Sequence, residues 1–176
     1  MTRTARSTTC SPRPALSTPN VNDPHWDADQ DRGPFRWRRS RVGRQAGARE
    51  LGASVFELQP GASTFPLHAH HANEELLVVL AGRPTLRAID GERALEEGEV
   101  VSFRTGRDGA HRIDNRTDVP IRVLIVSTMI GPDVVEHIDS EKVYARSYPP
   151  GADPPPDAVE VMVRREDSRD FFEGEL

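Results

Sequence analysis

From Leu51 onward the chain alternates short apolar runs with turn residues. SVFELQ, LLVVLA, PTLRAID, ERALEE, EVVSF and IRVLIVST are separated by Pro60-Gly61, Gly82, Asp90-Gly91, Gly98 and Asn115. β-Branched and aromatic residues dominate these runs, and no convincing amphipathic helical repeat interrupts them. Asp90-Gly91 between two short runs signals a hairpin, because a type I′ turn takes positive φ at both central positions. LLVVLA and VLIV are apolar at consecutive positions, which predicts strands covered on both faces, as in a two-sheet sandwich or closed barrel. The pattern therefore predicts an all-β jelly roll over residues 51–130.

Outside that region the pattern weakens. Residues 1–20 are rich in Ser, Thr and Pro and poor in large apolar side chains, which predicts a disordered tail. Residues 21–50 form an extension in which Arg36, Arg38, Arg39, Arg41, Arg44 and Arg49 occur with no acid from Phe35 to Arg49. With Phe35 and Trp37 interleaved, that stretch has the makings of a nucleic-acid contact. It is short and no helix-turn-helix precedes it, so an edge strand with solvated or acid-paired arginines is the preferred reading, and a nucleic-acid partner is not expected. Residues 131–176 form a C-terminal extension with one short element around Val134 to Val143, a proline-rich linker from Pro149 to Pro156, a last strand in VEVMVRR, and two aromatics, Phe171 and Phe172, expected to dock on the barrel.

Composition narrows the setting. The 176 residues carry a net charge of −5 and 36% apolar residues, enough for one modest core. No apolar run approaches membrane-spanning length, and the basic start lacks the apolar segment of a secretory signal, so a cytoplasmic protein without a membrane partner is expected. Cys10 is the only cysteine, which excludes an intrachain disulfide. Lys142 is the only lysine against 22 arginines, a bias that points to a GC-rich bacterial genome.

The candidate chemistry lies in GASTFPLHAHHANEELLVVLAG, residues 61–82. His68, His70 and His71 stand beside Glu74 and Glu75, and imidazole with carboxylate suits a divalent transition metal. Side chains two apart on a strand share a face, so His68 and His70 converge. A slip of one residue would exchange His70 and Glu75 for His71 and Glu74, which stand as alternative or supporting groups. No nucleophile elbow, phosphate loop or dinucleotide fingerprint competes with this cluster.

The same stretch resembles the first motif of the cupin superfamily, through Gly61, His68, His70, Glu75 and Gly82, with the gap before His68 one residue longer than usual. GEVVSFRTGRDGAHRIDN resembles the second motif through Gly98, Glu99, Gly106, His111 and Asn115, although Arg104 replaces a customary proline and the loop before His111 is two residues longer. NVNDPHWD and STMIGPDVVE further resemble a group of bacterial single-domain cupins of mostly unassigned function, for some of which a sugar-phosphate isomerase role has been suggested.

The resemblance implies a double-stranded β-helix whose mouth holds a divalent transition metal (Fe, Mn, Ni, Co, Cu or Zn) on His68, His70, Glu75 and His111. It also implies a homodimer formed by sheet packing or edge pairing. Three functions follow: a metal-dependent oxygenase or sugar/acid isomerase-epimerase acting on a small polar molecule, a non-catalytic ligand- or metal-binding module, and a ligand-sensing regulator. A phosphorylated substrate would draw on Arg83, Arg87, Arg104 or Arg122. His25 and His137, outside both motifs, are expected to be ordinary surface or packing residues.

Overall fold

Two facing antiparallel sheets enclose the core in the computed structural model, which describes residues 17–175. The tail expected to be disordered falls largely outside the described residues, as does Cys10. The first sheet orders its strands β1 (Ala28–Arg32), β2 (Phe35–Ser40), β3 (Leu51–Leu58), β10 (Ile121–Thr128), β5 (Glu75–Ala81) and β8 (Val100–Phe103). The second orders β13 (Glu160–Arg164), β12 (Lys142–Arg146), β11 (Asp133–His137), β4 (His68–His70), β9 (His111–Asp114), β6 (Thr85–Ala88) and β7 (Gly91–Ala94). This is the double-stranded β-helix that the strand pattern and the resemblance imply.

Alternation within strands sets the inside. On β10, Ile121, Val123 and Ile125 are buried while Arg122, Leu124 and Val126 are partly exposed. Phe56, Leu58, Leu77, Val79, Leu86, Phe103 and Ile113 complete one core between the sheets. The expectation that LLVVLA is covered on both faces is corrected: Leu77 and Val79 are buried, but Leu76 is 39% exposed. Its outward side chains meet no third layer, and period-two burial prevails over the continuous apolar run. Gly82 ends β5 at φ +80, and a Cβ there would lie 2.9 Å from Ile121 Cγ2. Glycine both adopts this φ and lets the chain leave β5 against β10.

Several local expectations are revised. The β6–β7 hairpin turns through Ile89 and Asp90, because Ala88 pairs with Gly91 and Gly91 (φ +142) already belongs to β7. Asp90 has no positive φ, so the turn is not the I′ type; the pairing of β6 with β9 and the burial of Leu86 fix the register instead. The element expected around Val134 to Val143 is two strands, β11 and β12, with Glu141 at φ +50 in the reversal between them. Phe171 and Phe172 do not dock: they are 86% and 60% exposed and contact each other edge-on.

The arginine-rich stretch forms β2, which pairs with both β1 and β3, and then one helical turn, α1 (Val42–Gln45). Arg38 and Arg122 both bind the buried Glu57, and Arg44 reaches Asp153 in the proline-rich segment. Among the described residues no helix is long and apolar enough to cross a membrane.

Candidate metal centre

Four of the residues singled out in the sequence meet between the two sheets at one end of the barrel. β4 is only three residues long, and its period of two turns His68 and His70 to the same side. Its neighbour β9 brings in His111, which pairs with His68 in register. Glu75 opens β5 in the opposite sheet, and so approaches the imidazoles from across the barrel. His68, His70 and Glu75 offer ligand atoms within 4.8 Å of one another. Glu75 Oε2 lies 3.1 Å from His111 Nε2 and 3.9 Å from His70 Nε2. His68 and His70 are 8% exposed and His111 3%.

Each ring is held by its other nitrogen. His68 Nδ1 donates to Pro66 O at 2.9 Å, His111 Nδ1 to Gly109 O at 3.0 Å, and His70 Nδ1 to Asp133 Oδ2 at 2.7 Å. Those acceptors carry no proton, so in the neutral rings the Nε2 lone pair is the one left free. Phe103, opposite Glu75 in the β5–β8 register, stacks on His111 at 3.8 Å and 7°. Asp133 is itself buried and accepts a hydrogen bond from Arg146 at 3.2 Å.

Electrostatics fits the same use. Burial, then the charges of His111 and His70, push His68 down to about 3, so it is neutral at pH 7. Burial would raise Glu75, but the proximity of His111, then of His70 and His68, outweighs it and brings its carboxyl down to about 2. Imidazoles whose far nitrogens are pinned, beside an ionised carboxylate, are the donor set a divalent transition metal accepts.

The alternatives His71 and Glu74 turn away. His71 is exposed on one side, 3.4 Å from Glu136 Oε2, and Glu74 accepts a hydrogen bond from Ser102 on the outer face. Asp133 lies in STMIGPDVVE, which carried part of the resemblance, but nothing in its spacing tied it to the histidine cluster.

A cavity of about 360 Å³ opens over the cluster, walled largely by apolar side chains including Phe56, Phe65, Ile125, Met129, Val135 and Met162. Its polar contributions beyond the cluster include His137, Arg39 and Arg146. His137 is thus corrected from an ordinary residue to a cavity residue, placed there by its pairing with His68 in the β11–β4 register. Burial, then the nearby charges of Lys142 and His70, lower it below the ordinary histidine value. The arginines expected to serve a phosphate do not line this cavity: Arg83 pairs with Glu96, Arg87 with Asp139 and Arg122 with Glu57, while Arg104 is exposed.

The class is thus a double-stranded β-helix with three histidines and a glutamate gathered between its sheets. Residues 54–127 match the Cupin domain family, and the barrel of this chain is a cupin domain. The chain is 33% identical over 89 residues to the tetracenomycin polyketide synthase protein TcmJ of Streptomyces glaucescens, an alignment that takes in 50% of this chain and 58% of that protein's length. Two solved structures share the fold. A sugar phosphate isomerase of the cupin superfamily from Silicibacter pomeroyi superimposes with a TM-score of 0.71 at 20% identity, over 86% of this chain and 94% of its own. The polyketide cyclase RemF from Streptomyces resistomycificus does so at 0.54 and 21%, over 65% and 80%.

Proposed function

We propose that this cupin is a metal-dependent enzyme that acts on a small, oxygen-bearing molecule with a largely apolar body, by proton transfer at a carbon next to a carbonyl. The observation that carries this reading is the joining of the His68, His70, Glu75 and His111 cluster to a cavity walled mainly by carbon. Ser54, Thr64, Ser127 and Tyr144 add polar groups, but a wall that is mostly carbon suits a ring-bearing or reduced-chain substrate better than a sugar with a hydroxyl on nearly every carbon. The 33% identity to a protein named for polyketide synthesis supports this choice of substrate class.

His68, His70, Glu75 and His111 would hold the metal. The bound ion would polarise a substrate carbonyl and acidify the neighbouring C–H. His137, half-buried in the cavity wall and held below the ordinary histidine value by burial, is the group available to take that proton, and its side chain makes no hydrogen bond among the described residues. Phe65, Ile125 and Met129 exclude water from the substrate body.

A cobalt-reconstituted preparation tests the reading. Titration with an aromatic β-diketone should shift the visible ligand-field bands, and Glu75→Gln should abolish the shift with the fold intact by circular dichroism. Bands unmoved by the diketone would contradict it. Shifted bands without turnover of any carbonyl substrate would favour a binding module, and consumption of O₂ by an iron-loaded preparation would favour an oxygenase.

A further inference from the structure

The cavity does not end at the imidazoles. A second hollow of about 260 Å³ shares Arg39, Gly52, Ser54, Met129, Pro150 and Gly151 with the first, so the two adjoin in one cleft region with Arg39 on the wall they share. The far part of the cleft is walled by Arg41, Arg44 and Arg49. The stretch whose charge stood out in the sequence therefore lies along the continuation of the candidate site.

The arginines of this stretch are not equally occupied. Arg38 binds Glu57, Arg41 binds Asp27, Arg44 binds Asp153, and Arg36 donates to Gly33 O. Arg49 is exposed, where water solvates it. Arg39 is partly buried, yet it makes no ion pair and no side-chain hydrogen bond among the described residues, and its Nε is shut off from solvent without an acceptor. Arg146, whose Nε is likewise without an acceptor, lines the same cavity, but its guanidinium is engaged by Asp133 at 3.2 Å. The Trp37 ring lies 5.5 Å from the Arg39 guanidinium carbon, and Asp27, which pairs with Arg41 instead, acts on its charge only from a distance. Removing a guanidinium from water without a counter-charge is unfavourable, and an arriving anion offsets that cost with charge-assisted hydrogen bonds. Burial, then the charge of Arg41, lowers the Arg39 pKa, and Asp27 only partly opposes them.

We propose that Arg39 is the anion-binding residue of this cleft, and that its ligand carries a carboxylate or phosphate group in addition to the oxygen it presents to the His/Glu centre. This rests on the reading that the cavity is the substrate site. It gives the cleft a polarity: metal-type donors at one part, an unspent cation where the two hollows join, and carbon between them.

The test compares three naphthalene probes by isothermal titration of the full chain at physiological salt: 1-naphthoate, 1-naphthyl phosphate and the neutral 1-naphthalenemethanol. One or both anions should bind about tenfold or more tightly than the alcohol, as expected for a hydrogen-bonded charge. Which anion prevails distinguishes carboxylate from phosphate. Arg39→Gln should bring the preferred anion to the alcohol's affinity, Arg39→Lys should keep part of the preference, and Arg104→Gln, off the cavity, should leave it unchanged. Should Arg39→Gln fail to fold, Arg39→Lys still decides, because a lysine lacks the planar fork and the preference must fall. Alcohol binding as tight as both anions, or a preference that survives Arg39→Gln, overturns the Arg39 assignment while leaving the cavity reading in place. Failure of all three probes to bind overturns both.

Discussion

Asp133 shows how a residue outside the two histidine motifs bears on the candidate centre. It sits fully inside, accepts from His70 Nδ1 and is held in place by Arg146. Replacing it with asparagine keeps the shape but removes the charge that makes His70 a stronger donor, so Asp133→Asn should weaken metal affinity about 10–100-fold with little change in fold. Competition with a chromophoric chelator measures this, and unchanged affinity would remove Asp133 from the account. His68, His70, Glu75 and His111 were legible in the sequence because two short motifs carried them. Asp133, His137 and Arg39 were not, since each reaches the site through pairing of strands distant in sequence, β11 with β4 and β2 with β3. Gly82 makes a separate case. At φ +80 and with Ile121 Cγ2 2.9 Å from any added Cβ, Gly82→Ala should cost about 1–3 kcal/mol in urea unfolding, and a cost near zero would show that β5 leaves the sheet with room to spare.

At the level of elements, the sequence located the strands it could mark with apolar runs and missed those too short to show one. β4 and β9 are three and four residues long and carry His, Ala, Arg and Asp as readily as apolar side chains, so propensity could not find them, although the histidine spacing implied the first. The hairpin at Asp90-Gly91 was legible but its turn was not, because tertiary register shifted the turn by one residue. The apolar run of β5 misled in another way: it reads as covered on both faces, whereas only Leu77 and Val79 are buried inside the barrel. The contrast is measurable. Leu77→Ala should destabilise the fold by about 2–5 kcal/mol, and Leu76→Ala, 39% exposed, by clearly less. Equal losses would mean that something covers the outer face of β5.

For the whole molecule, the outermost strand of the second sheet, β13, carries Val161, Met162 and Val163 at 42–48% exposure beside an unpaired edge. Exposed apolar edges favour pairing with a further strand, which supports a homodimer formed by a second copy of this chain. Light scattering at micromolar concentration should return twice the 19.6 kDa chain mass, and a monomer would contradict it. Both the proton-transfer chemistry and the role of Arg39 depend on a cavity whose inner end is organised around a metal. Elemental analysis of the purified, untagged protein beside its His68→Ala/His70→Ala variant tests that dependence most directly. The expected result is one equivalent of a divalent transition metal per chain in the wild type and almost none in the folded variant. A wild type without transition metal after reconstitution, or a variant that retains it, would contradict the account.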